Sequence, residues 1–339
     1  MKLISFAVPC YNSAEYMDKC INSLLKAGED AEIIIVNDGS TKDNTQEIAE
    51  KYAKDYPTIV KAVNKENGGH GDAVTVGLRN STGKYFKVVD SDDWVDEDAL
   101  NKVMEFLRSL NEDNSPDVLI VNYVIERVFE NKQKRVNYKK EFPVNRIFSF
   151  EESKKFTPGK YITMHALIHK RSILEDMNFE LPKHTFYVDN ILICKPMFNV
   201  KTFYYLNVDF YRYFIGRADQ SVNEKVLMSR IDQHIRMTKI LLYDCDYSAI
   251  KESRPRLYDY LINHVCSLMV VNSIYLIKID TPESMQTKKE LWEELKEKDP
   301  ETYKQFKSKF IGITSSNNKF VCNMCKVIYV FVKKILKFN

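Results

Sequence analysis

Three aspartates, Asp90, Asp92 and Asp93, follow directly after residues 84–89 (Lys-Tyr-Phe-Lys-Val-Val). Those six residues include aromatic and β-branched side chains and no glycine or proline, which predicts a buried strand. Carboxylates crowded at the end of such a strand are costly unless a cation neutralises them. Closely spaced carboxylate oxygens suit Mg²⁺ or Mn²⁺, which makes Asp90 and Asp92 candidate metal ligands. The alternative is that Asp93 caps the helix predicted from Glu97, while the other two carboxylates face solvent.

Three further polar clusters lie at the ends of predicted strands. Strands at 3–9, 32–37, 59–63 and 85–89 alternate with helices at 13–27, 43–54, 71–79 and 97–110. This α/β alternation predicts a mostly parallel sheet flanked by helices. Open sheets of this kind bind ligands at the carboxyl ends of their strands. The polar clusters at 9–12, 37–41, 66–72 and 90–93 all fall at that edge, which is therefore the predicted site.

Pro9, Tyr11 and Asp38 follow the first two predicted strands and have side chains suited to a nucleoside. Pro9 fixes the backbone where the strand leaves the sheet, and Tyr11 offers a flat ring for a base. Asp38 can accept the imide N–H of uracil, which favours UDP over purine nucleotides. Taken singly, Asp38 also suits a helix N-cap and Tyr11 a core aromatic position.

Residues 67–71 (Asn-Gly-Gly-His-Gly) form a glycine-rich turn that enters a helix. Its backbone N–H groups and the positive N-terminus of the helix suit a diphosphate. We expect Asn67, Gly69 and His70 to contact a donor molecule that carries such a diphosphate. The alternative for His70 is a solvent-facing histidine of a turn.

Taken in order, the four clusters resemble the motifs of the family 2 glycosyltransferases, closely over residues 1–110 and more loosely to about 222. The resemblance implies the GT-A fold and a nucleotide-sugar donor, with the uridine against the residues that follow the first two strands. It makes Asp90 and Asp92 the D-x-D pair, in which Asp92 coordinates Mn²⁺ or Mg²⁺ on the donor diphosphate and Asp90 lies near the ribose and the metal. Such an ion neutralises the charge that develops on departing UDP.

The resemblance also makes Asp189 the catalytic base. Inverting transfer needs a group that takes the proton of the incoming hydroxyl. In the family this group is an acid at the start of a helix in the second half, often within a Glu-Asp pair. Val188 stands in place of the glutamate here, so Asp189 alone carries the match. The alternative is that Asp189 is only a helix N-cap.

The chain departs from the family pattern in the helix after the glycine turn. Many members have Ala-Arg-Asn there, with the arginine facing the donor phosphates, whereas residues 73–75 are Ala-Val-Thr. His70 is one expected replacement. Arg217 is another, because residues 216–222 resemble the segment that closes over the donor, and Arg212 is a third unless it forms a surface salt bridge.

Composition and cysteine usage limit the expected binding partners and the expected cellular compartment. The 339 residues carry a net charge of +3, and we therefore predict no nucleic-acid partner. Seven scattered cysteines fit a reducing cytosol, and the apolar N-terminal stretch is too short for a signal peptide.

We expect a nucleotide-sugar-binding half at 1–115, an acceptor-binding half at 116–221 and a helical C-terminal region at 222–339. In the last segment, lysines at 319, 326, 333 and 337 share one stripe of a helix, with Val321, Met324, Ile328, Phe331, Val332 and Ile335 facing away from it. The stretch 320–338 contains no acid, which predicts peripheral contact of residues 319–338 with an anionic membrane rather than a membrane span. The alternative is packing on its own domain or in a homo-oligomer.

The sequence thus predicts a metal-dependent, inverting transferase that moves a sugar from a UDP-sugar to a hydroxyl of a glycan or lipid-linked glycan. By analogy, it would act in cell-surface polysaccharide or teichoic-acid-type synthesis, in the cytoplasm or on the inner face of the cell membrane. One alternative is a polyprenol-phosphate glycosyltransferase, which the glycine pattern at 69–73 resembles. Another is a non-catalytic subunit that binds a sugar nucleotide or glycan. Asp189 argues against the second, because a binding subunit needs no base.

Overall fold

The computed structural model describes residues 2–111, 114–157, 159–216, 220 and 223–336, with backbone alone at 310, 311 and 332–336. The chain divides into two compact units. The first contains the chain up to Gly216 together with Ser248–Tyr258, and the second contains the rest.

The first unit is built on a sheet of ten strands in the described part of the chain. They are β1 (Ile4–Cys10), β2 (Ala31–Asp38), β3 (Val60–Lys65), β4 (Tyr85–Val88), β5 (Trp94–Val95), β6 (Val118–Arg127), β7 (Lys132–Val136), β8 (Ile147–Phe148), β9 (Leu167–Lys170) and β10 (Phe203–Phe214). Their order is β3-β2-β1-β4-β9-β6-β10-β5, with β7 beside β6 and β8 beside β10.

The sheet is mixed. Strands β1, β2, β3 and β4 pair in parallel, and so do β6 and β10. Strand β9 lies between β4 and β6 and is antiparallel to both, so β4 and β6 run in the same direction. Six of the strands therefore end at one edge. For β1 to β4 this confirms the prediction from the alternating pattern, whereas the sequence predicted no direction for β6 and β10. The short antiparallel strands were not predicted as such.

Helices cover this sheet and form the second unit. They are α1 (Met17–Leu25), α2 (Thr45–Asp55), α3 (His70–Arg79), α4 (Glu97–Ser109), α5 (Arg171–Asp176), α6 (Asp189–Cys194), α7 (Glu224–Ser229), α8 (Ile231–Tyr243), α9 (Ser248–Lys251), α10 (Pro255–Ile279), α11 (Pro282–Lys298), α12 (Pro300–Ser308) and α13 (Lys319–Leu336). The predicted architecture, a helix-flanked sheet followed by a helical C-terminal region, is confirmed.

Burial on both faces explains the apolar strand sequences. All seven residues of β1 are buried, and the Ile-Ile-Ile-Val centre of β2 is inaccessible to solvent. Helix α3 approaches β1 so closely that a Cβ at Gly77 would lie 2.7 Å from the Cβ of Ala7. A glycine at this position therefore lets the helix that begins at the glycine turn lie directly on the central strand.

Helix α10 is long and apolar enough to cross a membrane, with a mean hydropathy of 1.5 over its most apolar stretch. However, 78% of that stretch is buried inside the protein. A core helix of a helical unit has the same composition.

Candidate active site

The loops that follow β1, β2 and β4 are hydrogen-bonded to one another. The backbone N–H of Asn12 donates to the hydroxyl oxygen of Ser40 (2.9 Å), which joins the first loop to the second. The hydroxyl of Ser91 donates to the hydroxyl oxygen of Ser13 (2.8 Å), which joins the acidic loop to the first. Each bond of this kind contributes roughly 1 kcal/mol to stability. The three loops therefore form one braced surface at the carboxyl edge of the sheet.

Pro9 and Tyr11 lie where β1 ends. Pro9 is buried within the strand, opposite Val36 of β2. The Tyr11 side chain is 50% exposed, so the alternative that it is a core aromatic is wrong. The Tyr11 N–H donates to the hydroxyl oxygen of Ser13 (3.0 Å), which holds the residue at the start of the loop. The ring is accessible at the predicted edge, and its stacking role stays a prediction.

Asp38 is buried at the end of β2, and its carboxylate is used inside the protein. One oxygen accepts from the Lys65 ammonium and from the N–H of Gly68 (2.9 Å). The other accepts from the N–H of Gly69 (2.8 Å) and the side-chain amide of Asn67 (3.2 Å). These donors fill the roughly four acceptor positions of a carboxylate. Asp38 therefore anchors the 65–69 turn instead of capping a helix, and a uracil imide could bind it only by displacing a donor.

The glycine-rich turn consequently differs from the prediction. The N–H groups of Gly68 and Gly69 donate to Asp38 instead of facing outward toward a diphosphate. The side-chain amide of Asn67 also donates to the carbonyl oxygen of Asp38 (2.9 Å). An internal carboxylate therefore occupies the position that we assigned to an external anion. Donor binding by Asn67 and Gly69 stays a prediction, and through these groups it would require the turn to exchange partners.

Lys65 lies between two buried carboxylates, those of Asp38 and Asp72, and its Nζ is 2.7 Å from Asp72. Burial lowers the pKa of Lys65, but the two carboxylates outweigh burial and raise it. Burial raises the pKa of Asp72, but Lys65 and Lys183 outweigh that effect and lower it. The charges beside the turn are thus neutralised within the protein.

The turn is joined to the segment that leads to Asp189. The backbone N–H of His184 donates to the carbonyl oxygen of Gly68 (2.7 Å). Gly69 has a φ of +86°, and a Cβ there would lie 3.2 Å from the backbone nitrogen of His184. Only glycine adopts this conformation readily while leaving room for such a close backbone approach. Asp38 therefore fixes the turn through hydrogen bonds, and the turn in turn fixes the backbone at His184.

Residues 184–187 have an unusual backbone. His184 and Tyr187 have φ values of +47° and +66°, a region that residues other than glycine rarely occupy. Such conformations cost about 1–3 kcal/mol each and concentrate at functional sites. They lead into α6, where Val188 occupies the cap position and Asp189 is the first helical residue. The alternative that Asp189 is the N-cap is therefore wrong.

His70 lies at the start of α3 among acidic groups. Its Nε2 is 2.8 Å from Oδ1 of Asp90. Burial lowers the pKa of His70, but Asp90 outweighs burial and raises it, with smaller contributions from Asp189 and Asp92. The imidazole therefore contacts one of the predicted metal ligands, Asp90. Its side chain is also 34% exposed, so it meets solvent as well, and its contact with the donor stays a prediction.

The acids in this cluster differ in their pKa values. Burial raises the pKa of Asp90, but His70 outweighs burial and lowers it. Burial also raises the pKa of Asp189, and Asp90 adds to that rise while His70 opposes it. The side-chain amide of Asn190 donates to Oδ1 of Asp189 (3.3 Å). A raised pKa brings the Asp189 carboxylate closer to the range in which a general base works at neutral pH.

Asp93 has a structural role. It is fully buried, and its two oxygens accept from the hydroxyl of Tyr211 (2.6 Å) and the N–H of Phe214 (2.7 Å). Helix α4 is instead capped by Asp96, whose carboxylate accepts from the N–H of Ala99 (3.1 Å). The alternative that Asp93 caps this helix is therefore wrong. Asp93 attaches the acidic loop to β10.

The acidic loop contains a group of side chains that could bind a cation, and Asp90 is the predicted metal ligand that belongs to it, whereas the role of Asp92 stays a prediction. Atoms of Asp90, Asp93 and His165 that could bind a metal lie within 4.8 Å of one another. Asp93 is already held by two donors, and the ring of His165 stacks on Tyr213 with centroids 4.2 Å apart. Asp90 and Asp92 keep partly exposed carboxylates, and such oxygens suit Mn²⁺ or Mg²⁺.

Lys87 is a residue of this site that the sequence did not identify. It is fully buried in β4, and its ammonium donates to the carbonyl oxygens of Met164 (2.7 Å) and His165 (2.8 Å). Its Nζ also lies 4.8 Å from the centroid of the Tyr211 ring. Burial lowers the pKa of Lys87 to about 7. The only signal for it was a lysine within an otherwise apolar strand.

The two arginines considered for the donor phosphates have different outcomes. Arg212 forms ion pairs with Asp96 (2.6 Å) and Glu126 (3.0 Å), as the salt-bridge alternative predicted. Arg217 lies outside the described residues.

Residues 5–177 match the model of glycosyl transferase family 2. The chain belongs to this family. Over 104 residues it is 39% identical to glycosyltransferase EpsJ of Bacillus subtilis, a match that covers 30% of this chain and 30% of EpsJ. The chain spans less than half the length of the curated relatives compared with it. The resemblance seen in the strand-end motifs is thus confirmed at the level of the family.

Two solved structures share the fold of this family 2 glycosyltransferase. Staphylococcus aureus TarS 1–349, in complex with UDP-GlcNAc, aligns over 97% of this chain and 91% of its own with a TM-score of 0.69 and 19% identity. Mannosyltransferase PcManGT of Pyrobaculum calidifontis, in complex with GDP-Man and Mn²⁺, aligns over 96% of this chain and 86% of its own with a TM-score of 0.51 and 14% identity. At these identities the likeness concerns the fold, and it confirms the GT-A architecture.

Proposed function

We propose that this family 2 glycosyltransferase is metal-dependent and inverting, and that it transfers a sugar from a UDP-sugar to a hydroxyl acceptor. One geometric observation carries the proposal: the glycine turn contacts both acidic segments. His70 Nε2 lies 2.8 Å from Oδ1 of Asp90, and the N–H of His184, five residues before Asp189, donates to the carbonyl oxygen of Gly68 (2.7 Å). These contacts support a site that combines the candidate metal ligands with the candidate base. A single displacement at the anomeric carbon requires both groups there.

Asp189 is proposed to take the proton of the acceptor hydroxyl. Its raised pKa favours proton acceptance, and the bond from Asn190 orients one of its oxygens. The unusual backbone of His184 and Tyr187 positions the first turn of α6 near the glycine turn. The oxygen left without its proton then attacks the anomeric carbon as the bond to the nucleoside diphosphate breaks.

Asp92, with Asp90, is proposed to hold Mn²⁺ or Mg²⁺. When bound, such an ion acts as a Lewis acid that stabilises the negative charge of the departing diphosphate. His70 keeps Asp90 ionised through their hydrogen bond. We also assign His70 to the donor phosphates, where it would compensate for the missing arginine.

The nucleoside is proposed to be uridine, stacked on the exposed ring of Tyr11 beside Pro9. TarS was crystallised with UDP-GlcNAc and PcManGT with GDP-Man, so the fold accommodates both kinds of base. Since the Asp38 carboxylate is occupied by internal donors, uracil recognition through it would require the turn to adjust. The choice of UDP is therefore the part of the proposal that a donor panel tests most directly.

The acceptor is proposed to be a glycan or lipid-linked glycan of the cell surface, made at the cytoplasmic face of the membrane. This setting rests on the family resemblance, with residues 1–115 proposed for the donor and 116–221 for the acceptor.

The test is UDP release across a panel of UDP-sugars, with GDP-Man as a comparison, in the presence of Mn²⁺ or Mg²⁺. We expect one UDP-sugar to be hydrolysed slowly by the wild type and not by Asp92→Ala. Asp189→Asn should retain donor binding, measured by calorimetry, and lose transfer once an acceptor is supplied. Asp98→Ala is the matched control, because Asp98 is an exposed acid on α4. Turnover of GDP-Man alone, or of no donor, would contradict the UDP assignment.

A further inference from the structure

Helix α13 has a covered face and an open face. On the covered face, Cys322 and Cys325 pack against Ile274 and Ile277 of α10, with Tyr329 beside them. The hydroxyl of Tyr329 is 3.0 Å from that of Tyr275, which reinforces this contact. The helix therefore already has a packing partner within its own unit.

The open face carries large apolar side chains. Phe320, Val327 and Phe331 are 78%, 70% and 64% exposed, and Val330 is 51% exposed. With 100° per residue, the first three fall within one narrow stripe of the helix. Val321 and Phe331 are both predicted to face away from the lysines, but only Val321 packs against the core, whereas Phe331 is exposed. The packed side and the exposed stripe are distinct surfaces.

The charged residues in the sequence of α13 are all basic. Residues 319–336 contain lysines at 319, 326, 333 and 334 and no acid. Lys326 pairs with Asp280 (2.6 Å), whereas Lys319 is exposed at the start of the helix. Two copies that met through this face would bring these lysines together without acids from the helix to pair with them. Anionic headgroups provide the complementary charge.

We propose that α13 lies in the interface of an anionic lipid bilayer, with Phe320, Val327 and Phe331 entering the boundary between headgroups and acyl chains. The exposed Lys319 would then contact the headgroups. An apolar stripe on one side of a helix suits this position, whereas a spanning helix would be apolar all round. Docking would hold the enzyme where lipid-linked acceptors are found, but it does not depend on the proposed reaction.

The test uses the full chain and vesicles in a sedimentation assay. We expect binding to vesicles of phosphatidylcholine and phosphatidylglycerol at 7:3, and weaker binding to phosphatidylcholine alone or at 0.5 M salt. The triple variant Phe320→Gln, Val327→Gln, Phe331→Gln should bind at least tenfold more weakly. The control is Val128→Gln with Phe129→Gln, a pair that is 53% and 75% exposed outside α13 and should bind like the wild type.

Circular dichroism and the melting temperature verify that the variants fold, and UDP release should be unchanged because the open face lies outside the candidate site. The proposal is overturned if anionic vesicles bind none of the proteins or bind the triple variant as well as the wild type. It is also overturned if light scattering shows a dimer that the triple variant converts to a monomer while the wild type ignores vesicles. In that case the open face is an interface between copies.

Discussion

Two groups of acids at the same edge of the sheet are neutralised in opposite ways. Asp38 and Asp72 are buried beside the glycine turn, where Lys65 and the turn's N–H groups satisfy them. Asp90 and Asp189 are partly exposed, and the ring of His70 lies 2.8 Å from Oδ1 of Asp90. The difference separates acids that are satisfied within the protein from acids that we propose bind a ligand or a proton. A carboxylate with all its acceptor positions filled stabilises the loop around it, and one with positions open can bind a cation or a proton.

The largest expected effect is the loss of activity when a chelator removes the divalent cation that we propose at Asp90 and Asp92. We expect a chelator to reduce transfer by about a thousandfold, because the charge on the leaving diphosphate loses a stabilisation of several kcal/mol. Adding Mn²⁺ or Mg²⁺ should restore the rate and raise the melting temperature of the wild type, since a ligand of the folded state stabilises it. The melting temperature of Asp92→Ala should not respond to either metal. Full activity in the chelator would remove the functional distinction between the two groups of acids.

Gly69→Ala should disrupt the contact between the turn that Asp38 holds and the segment that leads to Asp189. The added Cβ meets the backbone of His184 at 3.2 Å, and the φ of +86° is unfavourable for alanine. Displacement of the segment before Asp189 by even about 1 Å should lower kcat roughly a hundredfold. Gly28→Ala is the matched control, because Gly28 has a φ of +69° and nothing within 4 Å of an added Cβ. Equal loss of kcat in the two variants would show that backbone strain alone, without the His184 contact, is responsible.

Asp38→Asn should distinguish an anchor from a uracil ligand. The amide loses the ion pair with Lys65 and one set of acceptor positions, so we expect a loss of stability of about 1–3 kcal/mol. If Asp38 is an anchor, kcat falls about tenfold, in the same direction as in Gly69→Ala, while UDP affinity measured by calorimetry changes little. A large loss of UDP affinity with kcat unchanged would instead return Asp38 to the uracil.

The smallest expected effect is on stability: as pH falls, the contributions of Asp72 and Asp189 to the free energy of unfolding should change in opposite directions. The pKa of Asp72 is lowered in the folded state, so its contribution to stability is present above the unfolded pKa and is lost as pH falls through the folded pKa. The pKa of Asp189 is raised, so its ionised form costs stability at neutral pH and the cost is relieved as pH falls. At pH 7 we expect Asp189→Asn to raise the melting temperature and Asp72→Asn to lower it. Shifts of both variants in the same direction would contradict the comparison.

The sheet edge could be predicted from the sequence because its signals are local. Apolar runs mark β1, β2 and β4, and the acids at 90–93 follow the last of them directly. The function of Asp38 could not be predicted, because its partners lie about thirty residues later in a turn whose shape depends on Gly69. The positive φ values at His184 and Tyr187 likewise depend on packing against that turn and have no sequence signature.

The C-terminal helix illustrates the same limit. Helical periodicity located the helix correctly, since periodicity is a property of the segment itself. The predicted lysine stripe stays a prediction, because Lys337 lies outside the described residues and the Lys333 side chain is not described. The division of its apolar residues into a packed side and an exposed stripe depends on Ile274 and Ile277 of α10. The antiparallel insertion of β9 between β4 and β6 is also a long-range event that local patterns did not indicate.

The buried Lys87 has a consequence for how the first unit folds. Its ammonium obtains its hydrogen bonds from the carbonyl oxygens of Met164 and His165, which are synthesised more than seventy residues later. Until that segment arrives, β4 has a lysine with no acceptors in the interior and lacks its neighbour β9. We therefore expect that a fragment ending at residue 115 does not retain the acidic loop in its native conformation, because it lacks both the acceptors of Lys87 and the strand beside β4.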